Sequence, residues 1–169
     1  MPITFPDWYK GGFPDREVVV MDALQPFWDP TKVPGAPTGY LCTWLPDDTV
    51  QRIEAGEVII RIYRGGLGAD GLFDPAAVQV GVIAKTHRDA ATGLEYCRQL
   101  LRAYSGGAVK HPDGSFTAIL KVQEMQGPQQ MPEENPDDRL VNATFNVECR
   151  LPRDIPDYAP TIAAIVKSL

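Results

Sequence analysis

Between Leu140 and Leu151 the chain alternates strictly: Val141, Ala143, Phe145, Val147 and Cys149 are apolar, and Asn142, Thr144, Asn146, Glu148 and Arg150 between them are polar. Successive side chains of a strand point to opposite faces, so this segment carries one apolar face and one wet face. Such strands belong to antiparallel sheets covered on one side, since strands buried on both sides read as continuous apolar runs. Helices must then gather on the apolar face, which makes the expected fold α+β.

The remaining elements fit that frame. Pro14 to Gln25 has Pro at the entry and Asp15 and Glu17 where they oppose the helix dipole, which predicts a first helix that Pro26 stops. The valines at 18 to 20 would suit a strand equally well, but Met21 to Gln25 favours helix. Pro26 to Gly39 holds four prolines and two glycines and reads as an irregular connection. Strands are expected over Tyr40–Leu45, Glu57–Tyr63, Ala76–Ala84, Ser115–Gln126 and Leu140–Leu151. Thr86 and Asp89 resemble a capping box, and Ala90, Leu94, Cys97, Leu101 and Tyr104 follow at helical spacing as far as Gly106-Gly107. Tyr158, Ile162, Ile165 and Leu169 could form one apolar stripe of a C-terminal helix. The expectation is one domain over residues 1–169, with a core of about 15–151 and an extension over 152–169. Its order is α-β-β-β-α-β-β with a C-terminal helix: five mostly antiparallel strands, two main helices on one face, and surface loops at Arg64 to Pro75 and Gly127 to Asp138.

Composition narrows the function. The net charge is −6 with pI near 4.9, and no Lys or Arg run is dense enough to grip a row of phosphates, which argues against tight nucleic-acid binding. The apolar runs fall far short of the ~20 residues that cross a bilayer, and Met1 to Trp8 has no signal-peptide pattern, so neither membrane insertion nor export is expected. Cys42, Cys97 and Cys149 are an odd number without close spacing, and they read as reduced and buried.

No motif carries chemistry. Gly66-Leu67-Gly68-Ala69-Asp70-Gly71 matches the dinucleotide fingerprint, but that loop must open a helix, and Leu72 to Pro75 leads into another strand. A small nucleotide-binding enzyme is therefore a remote alternative. His87 and His111 lack ligand partners at metal spacing and read as exposed cap and turn residues. Ser105-Gly106-Gly107 follows a helix instead of preceding one, and Cys97 lies on an apolar stripe where a thiol is inert packing. No enzyme, catalytic residue, metal or cofactor is expected.

What remains is an ordered set of short motifs: Arg16 to Leu24, then Thr43-Trp44-Leu45-Pro46, Ile60 to Gly66, Asp74 to Val80, the helix with Leu94 to Tyr104, and Met125-Gln126-Gly127-Pro128. In order and spacing, from about Asp15 to Leu151, this resembles the tail terminators of actinobacterial siphophages. The resemblance implies a structural virion protein: a homohexameric ring that caps the tail tube, ends its polymerisation and offers a surface to the head–tail connector or neck protein. It implies assembly in the host cytoplasm and a final place at the tail–neck junction. DNA would pass through the lumen without specific binding, and six copies at −6 would carry −36, enough for an acidic bore to repel it. The alternative is another neck or connector ring protein. Candidate contacts with neighbours or the tail are Arg64, Gly66, Gly68, Asp70 and Phe73, then Met131, Glu133 and Glu134, and then Tyr158 and Ile162. The Pro26 to Pro37 insertion and the residues after Pro152 depart from the family pattern.

Leu94→Asp and Phe145→Asp each place an unpaired charge on a core face and should abolish folding. Soluble variants that melt cooperatively in circular dichroism would contradict the assignment of those faces.

Overall fold

The computed structural model describes residues 3–9, 12–65, 73–130, 139–151 and 157–168. The elements run α1 (Arg16–Leu24), β1 (Gly39–Cys42), α2 (Thr49–Glu54), β2 (Val58–Gly65), β3 (Phe73–Ile83), α3 (His87–Ala103), β4 (Ala108–Lys110), β5 (Phe116–Gln130), β6 (Leu140–Arg150) and α4 (Ala159–Ser168). A 3-10 turn at Gln25–Trp28 extends α1. The six strands form one sheet in the order β1-β2-β3-β6-β5-β4.

The expected α+β class holds, and α1 and α3 both pack against the sheet and against each other. Three details are corrected. There are six strands among the described residues, because the three-residue β4 was too short to show a period. A further helix, α2, has no counterpart among the expected elements. The β1–β2 pair is parallel, Gly39 opposite Val58 and Cys42 opposite Arg61, whereas every other pair is antiparallel. The last two of these corrections have one cause: parallel neighbours need a crossover, and α2 lies on it.

Helix boundaries follow local chemistry. Asp15 is the N-cap of α1, and its side chain accepts from the Glu17 amide. Thr86 caps α3: its hydroxyl accepts from the Asp89 amide at 3.1 Å and donates to the Asp89 carboxylate at 2.6 Å. The hydroxyl half of the expected capping box therefore forms, and the Asp89 carboxylate is held by the Thr86 hydroxyl. Past its end, Gly106 takes φ 81° and donates its N–H to the Ile119 carbonyl, turning the chain onto β5.

The core lies between the helices and the apolar face of the sheet. Val19, Val20 and Leu24 of α1, Leu94, Cys97 and Leu101 of α3, Ile60 and Ile62 of β2, Val78, Val80 and Val82 of β3, and Phe145 and Val147 of β6 are fully buried or nearly so. Each Leu- or Phe-sized side chain buried in this way contributes about 1.5–3 kcal/mol. All three cysteines are free and buried, and burial pushes the Cys97 thiol up to about 12. A smaller cluster of Cys42, Ile53 and Ile59 sits under α2, with Ile83 packed against it.

Trp28 closes the core at its top. Its ring is 3% exposed and lies so close to Gly39 and Gly93 that a Cβ on Gly39 would sit 2.5 Å from Trp28 Cε3 and 2.7 Å from Ile60 Cδ1. A Cβ on Gly93 would sit 3.0 Å from Val82 Cγ1 and 3.3 Å from the Trp28 ring. The ring also meets Tyr96 edge-on at 5.6 Å.

Gly39→Ala should therefore cost about 1–3 kcal/mol of stability through overpacking. Gly93→Ala should cost less, because Ala returns about 1 kcal/mol of helix propensity. Urea unfolding checks both, and a Gly39→Ala protein as stable as the parent would refute the fit of the indole between the two glycines.

Candidate assembly surfaces

The expected contact residues divide three ways. Gly66, Gly68 and Asp70, and Met131, Glu133 and Glu134, lie outside the described residues. Both expected loops are shorter than their sequence suggested: β2 runs on through Arg64 and Gly65, β3 starts at Phe73, and β5 runs through Gly127 and Pro128 to Gln130. Arg64 is exposed at the end of β2, where its backbone N–H donates to Glu17 Oε1 at 2.7 Å and ties that strand to the first turn of α1. Phe73 opens β3 opposite Arg150.

Tyr158 and Ile162 belong to a third region, where the two chain ends meet. Tyr158 stacks on Tyr9, with ring centroids 5.6 Å apart, and meets Trp8 at 5.8 Å. Ile162 is 52% exposed, and Ile3, Phe5, Phe13, Ile165 and Val166 around these segments are exposed as well. Large apolar side chains left exposed in this number are uncommon on monomeric soluble proteins. Sequence reasoning found the C-terminal half of this cluster from the helical stripe and missed the N-terminal half, which has no periodicity to read.

Two further apolar groups went unpredicted. Trp44, just past β1, is 80% exposed, and Val50 on α2 is 68% exposed. At the far end of the sheet Phe116, the first residue of β5, is 67% exposed, and Leu120 is exposed near it. Apolar content alone could not reveal them, because burial is decided by which residues the fold leaves without a neighbour. A cleft between the Pro-rich connection and α3, lined by Trp28, Pro37, Val58, Thr92 and Tyr96, is the continuation of the Trp28 packing.

The wet face predicted for β6 is present but less open than expected, since Asn142 is 4% exposed and Gly81 beside it is buried. Arg61 lies over the Tyr63 ring at 4.7 Å on this same face. The row across the sheet there is Arg61, Gly81, Asn142 and Gln129.

His111 is the clearest correction. Instead of facing solvent in a turn, it is largely covered: its Nδ1 is 2.6 Å from Asp22 Oδ2 and its Nε2 is 2.8 Å from Thr117 Oγ1. An ionised carboxylate only accepts, so Nδ1 carries a proton toward α1. The order carboxylate, imidazole, hydroxyl is that of a hydrolytic triad, but Thr117 is 8% exposed and cannot be approached by an external carbonyl. The three side chains instead fasten the β4–β5 hairpin to α1. Sequence reasoning missed this because Asp22 and His111 are 89 residues apart. His87 is exposed, as expected.

A model of the family described as phage tail termination protein matches residues 12–156. The chain belongs to that family. No curated protein matches it. Membership gives this phage tail termination protein a structural role in tail completion, hence a place in the virion and contacts with other tail proteins. The match covers α1 through β6 and leaves out α4 and the first residues, so the joined chain ends lie mostly beyond it. Among the described residues no group of His, Cys, Asp and Glu could hold a metal ion, and no helix is long and apolar enough to cross a membrane.

The His111 contact should be measurable as energy. Asp22→Ala and His111→Ala should each destabilise the protein by about 1–3 kcal/mol. The double variant should lose less than the sum, with a coupling of about 0.5 kcal/mol or more. Additive losses in a urea-unfolding cycle would show that the two side chains do not support each other.

Proposed function

We propose that this protein forms a hexameric ring on the last ring of a finished tail tube, stops further polymerisation and offers its free side to the head–tail connector or neck protein. The family match over residues 12–156 is the observation that carries this reading. The exposed apolar groups described above support it, because a protein that ends a polymer must hold both its own copies and the polymer's last subunits. The chain-end cluster of Tyr9, Tyr158 and Ile162 is the proposed contact with the tail tube, with Arg64 as a further candidate. The chain's charge of −6 repeats with every copy, and an acidic bore would let DNA pass without gripping it. The proposed place of assembly is the host cytoplasm.

Tail tubes assembled in the presence of this protein should stop short, with a density at one end in electron micrographs, and Ile162→Glu should reduce the fraction of capped ends. Tubes that elongate equally with and without the protein would overturn the reading.

A further inference from the structure

The sheet order places β1 at one end and β4 at the other, five strand spacings apart, or on the order of 24 Å along a flat sheet. Each end presents exposed apolar side chains on a braced support. At the β1 end, Trp44 precedes α2 and Val50 lies on it, and the helix is held by the Thr49 hydroxyl, which donates to the Pro46 carbonyl, and by the buried Ile53. Arg52 reinforces it through Asp48 at 2.9 Å and Glu57 at 3.0 Å, and lies over the Tyr40 ring. At the β4 end, Phe116 and Leu120 stand on the hairpin that Asp22, His111 and Thr117 fasten to α1. The turn before Phe116 is set by Asp113, which accepts from both the amide and the hydroxyl of Ser115.

The two ends differ in charge. Pro46 to Glu57 contains four carboxylates (Asp47, Asp48, Glu54 and Glu57) against Arg52, and Arg139 at 2.8 Å and Lys85 at 4.0 Å also pair with Glu54, which leaves a local net of −1 carried by the exposed Asp47. Ala108 to Lys121 contains Lys110 and Lys121 against Asp113, a net of +1 in a chain whose total is −6. An apolar patch with a weakly acidic rim, its exposed charge at Asp47, thus sits at one end of the sheet, and an apolar patch with a weakly basic rim, at Lys110 and Lys121, at the other. A two-fold contact through the first patch would set acid against acid, whereas a contact between the first patch of one copy and the second patch of another pairs opposite charges around an apolar centre. Contacts between two different patches of the same chain are the kind that close into rings when the rotation between copies permits.

We propose that the surface around Trp44 and Val50 docks onto the surface around Phe116 and Leu120 of a second copy of this chain, head to tail, and that this is the subunit contact of the ring. The proposal rests on the ring reading above and specifies its interface. Trp44 is the central anchor, and Asp47 and Lys121 are rim charges that steer the approach and set its register.

The test is sedimentation velocity on the full chain over a range of concentrations, using Trp44→Glu, Phe116→Glu and their mixture. Both substituted residues are largely exposed, so the variants should melt like the parent. The parent should assemble, and each variant alone should associate about tenfold or more weakly, as expected for loss of a buried aromatic anchor. In the mixture one good pair of surfaces survives, Trp44 on the Phe116→Glu chain and Phe116 on the Trp44→Glu chain, so one-to-one pairs should form and no ring. As a second arm, Asp47→Lys and Lys121→Glu should each weaken assembly, and the two together in one chain should restore it. Variants that assemble like the parent, or a mixture that stays monomeric, would overturn this interface while leaving the ring intact. A parent that remains monomeric at every concentration, alone and with tail tubes, would remove the ring reading and this interface with it.

Discussion

The fold depends on one indole. Trp28 ends the 3-10 turn that prolongs α1, and its ring fills a space that exists only because Gly39 opens β1 and Gly93 interrupts α3 with no side chain. Three elements far apart in sequence are thereby fixed to one another. Interiors are close-packed, so neither glycine could carry even a methyl group without displacing the ring or Ile60 and Val82 beneath it. The geometry has a cost: the indole N–H finds no partner of good hydrogen-bonding geometry, and the group it faces is the Cys97 thiol, a weak acceptor. The arrangement persists because the apolar area removed from water outweighs one poorly satisfied donor.

How much of this was legible in the sequence depended on the range of the interaction. The alternation of Leu140 to Leu151 correctly forecast β6 and the helix-covered face, and the Thr86 cap with its apolar stripe forecast α3, because both signals are local. The strands also ran where their periodicity placed them, to within a few residues. What escaped was short or non-local. β4 spans three residues and pairs with β5, α2 spans six, and neither length can display a period. The parallel alignment of β1 on β2 follows from the crossover and not from any residue in either strand. The loop boundaries erred in the same direction, since β5 tolerates Gly127 and Pro128 with register shifts that a reading of turn-forming residues treats as a stop.

The surfaces were harder still. Tyr158 and Ile162 could be proposed from helical spacing, but the aromatic partners Trp8 and Tyr9 come from the other end of the chain. Trp44 and Phe116 look like core residues by type, and only the fold shows that nothing covers them. His111 is the converse, a polar turn residue by composition that the fold draws in against α1. Exposure of an apolar group and burial of a polar one are properties of the assembled tertiary structure, and a linear reading cannot separate them from their opposites.

The strand order also bears on how the protein is made. β6 is the last of the described strands to be synthesised, yet it lies in the interior of the sheet, paired with β3 on one side and β5 on the other. A growing chain on the ribosome therefore holds β3 and β5 with their central edges unpaired until residues near Arg150 have emerged, and the long closure between β3 and β6 must then be completed in one step. A product that stops short of β6 lacks the middle of its own sheet. Chains that end before β6 are thus denied the fold on which any incorporation into a virion would rely.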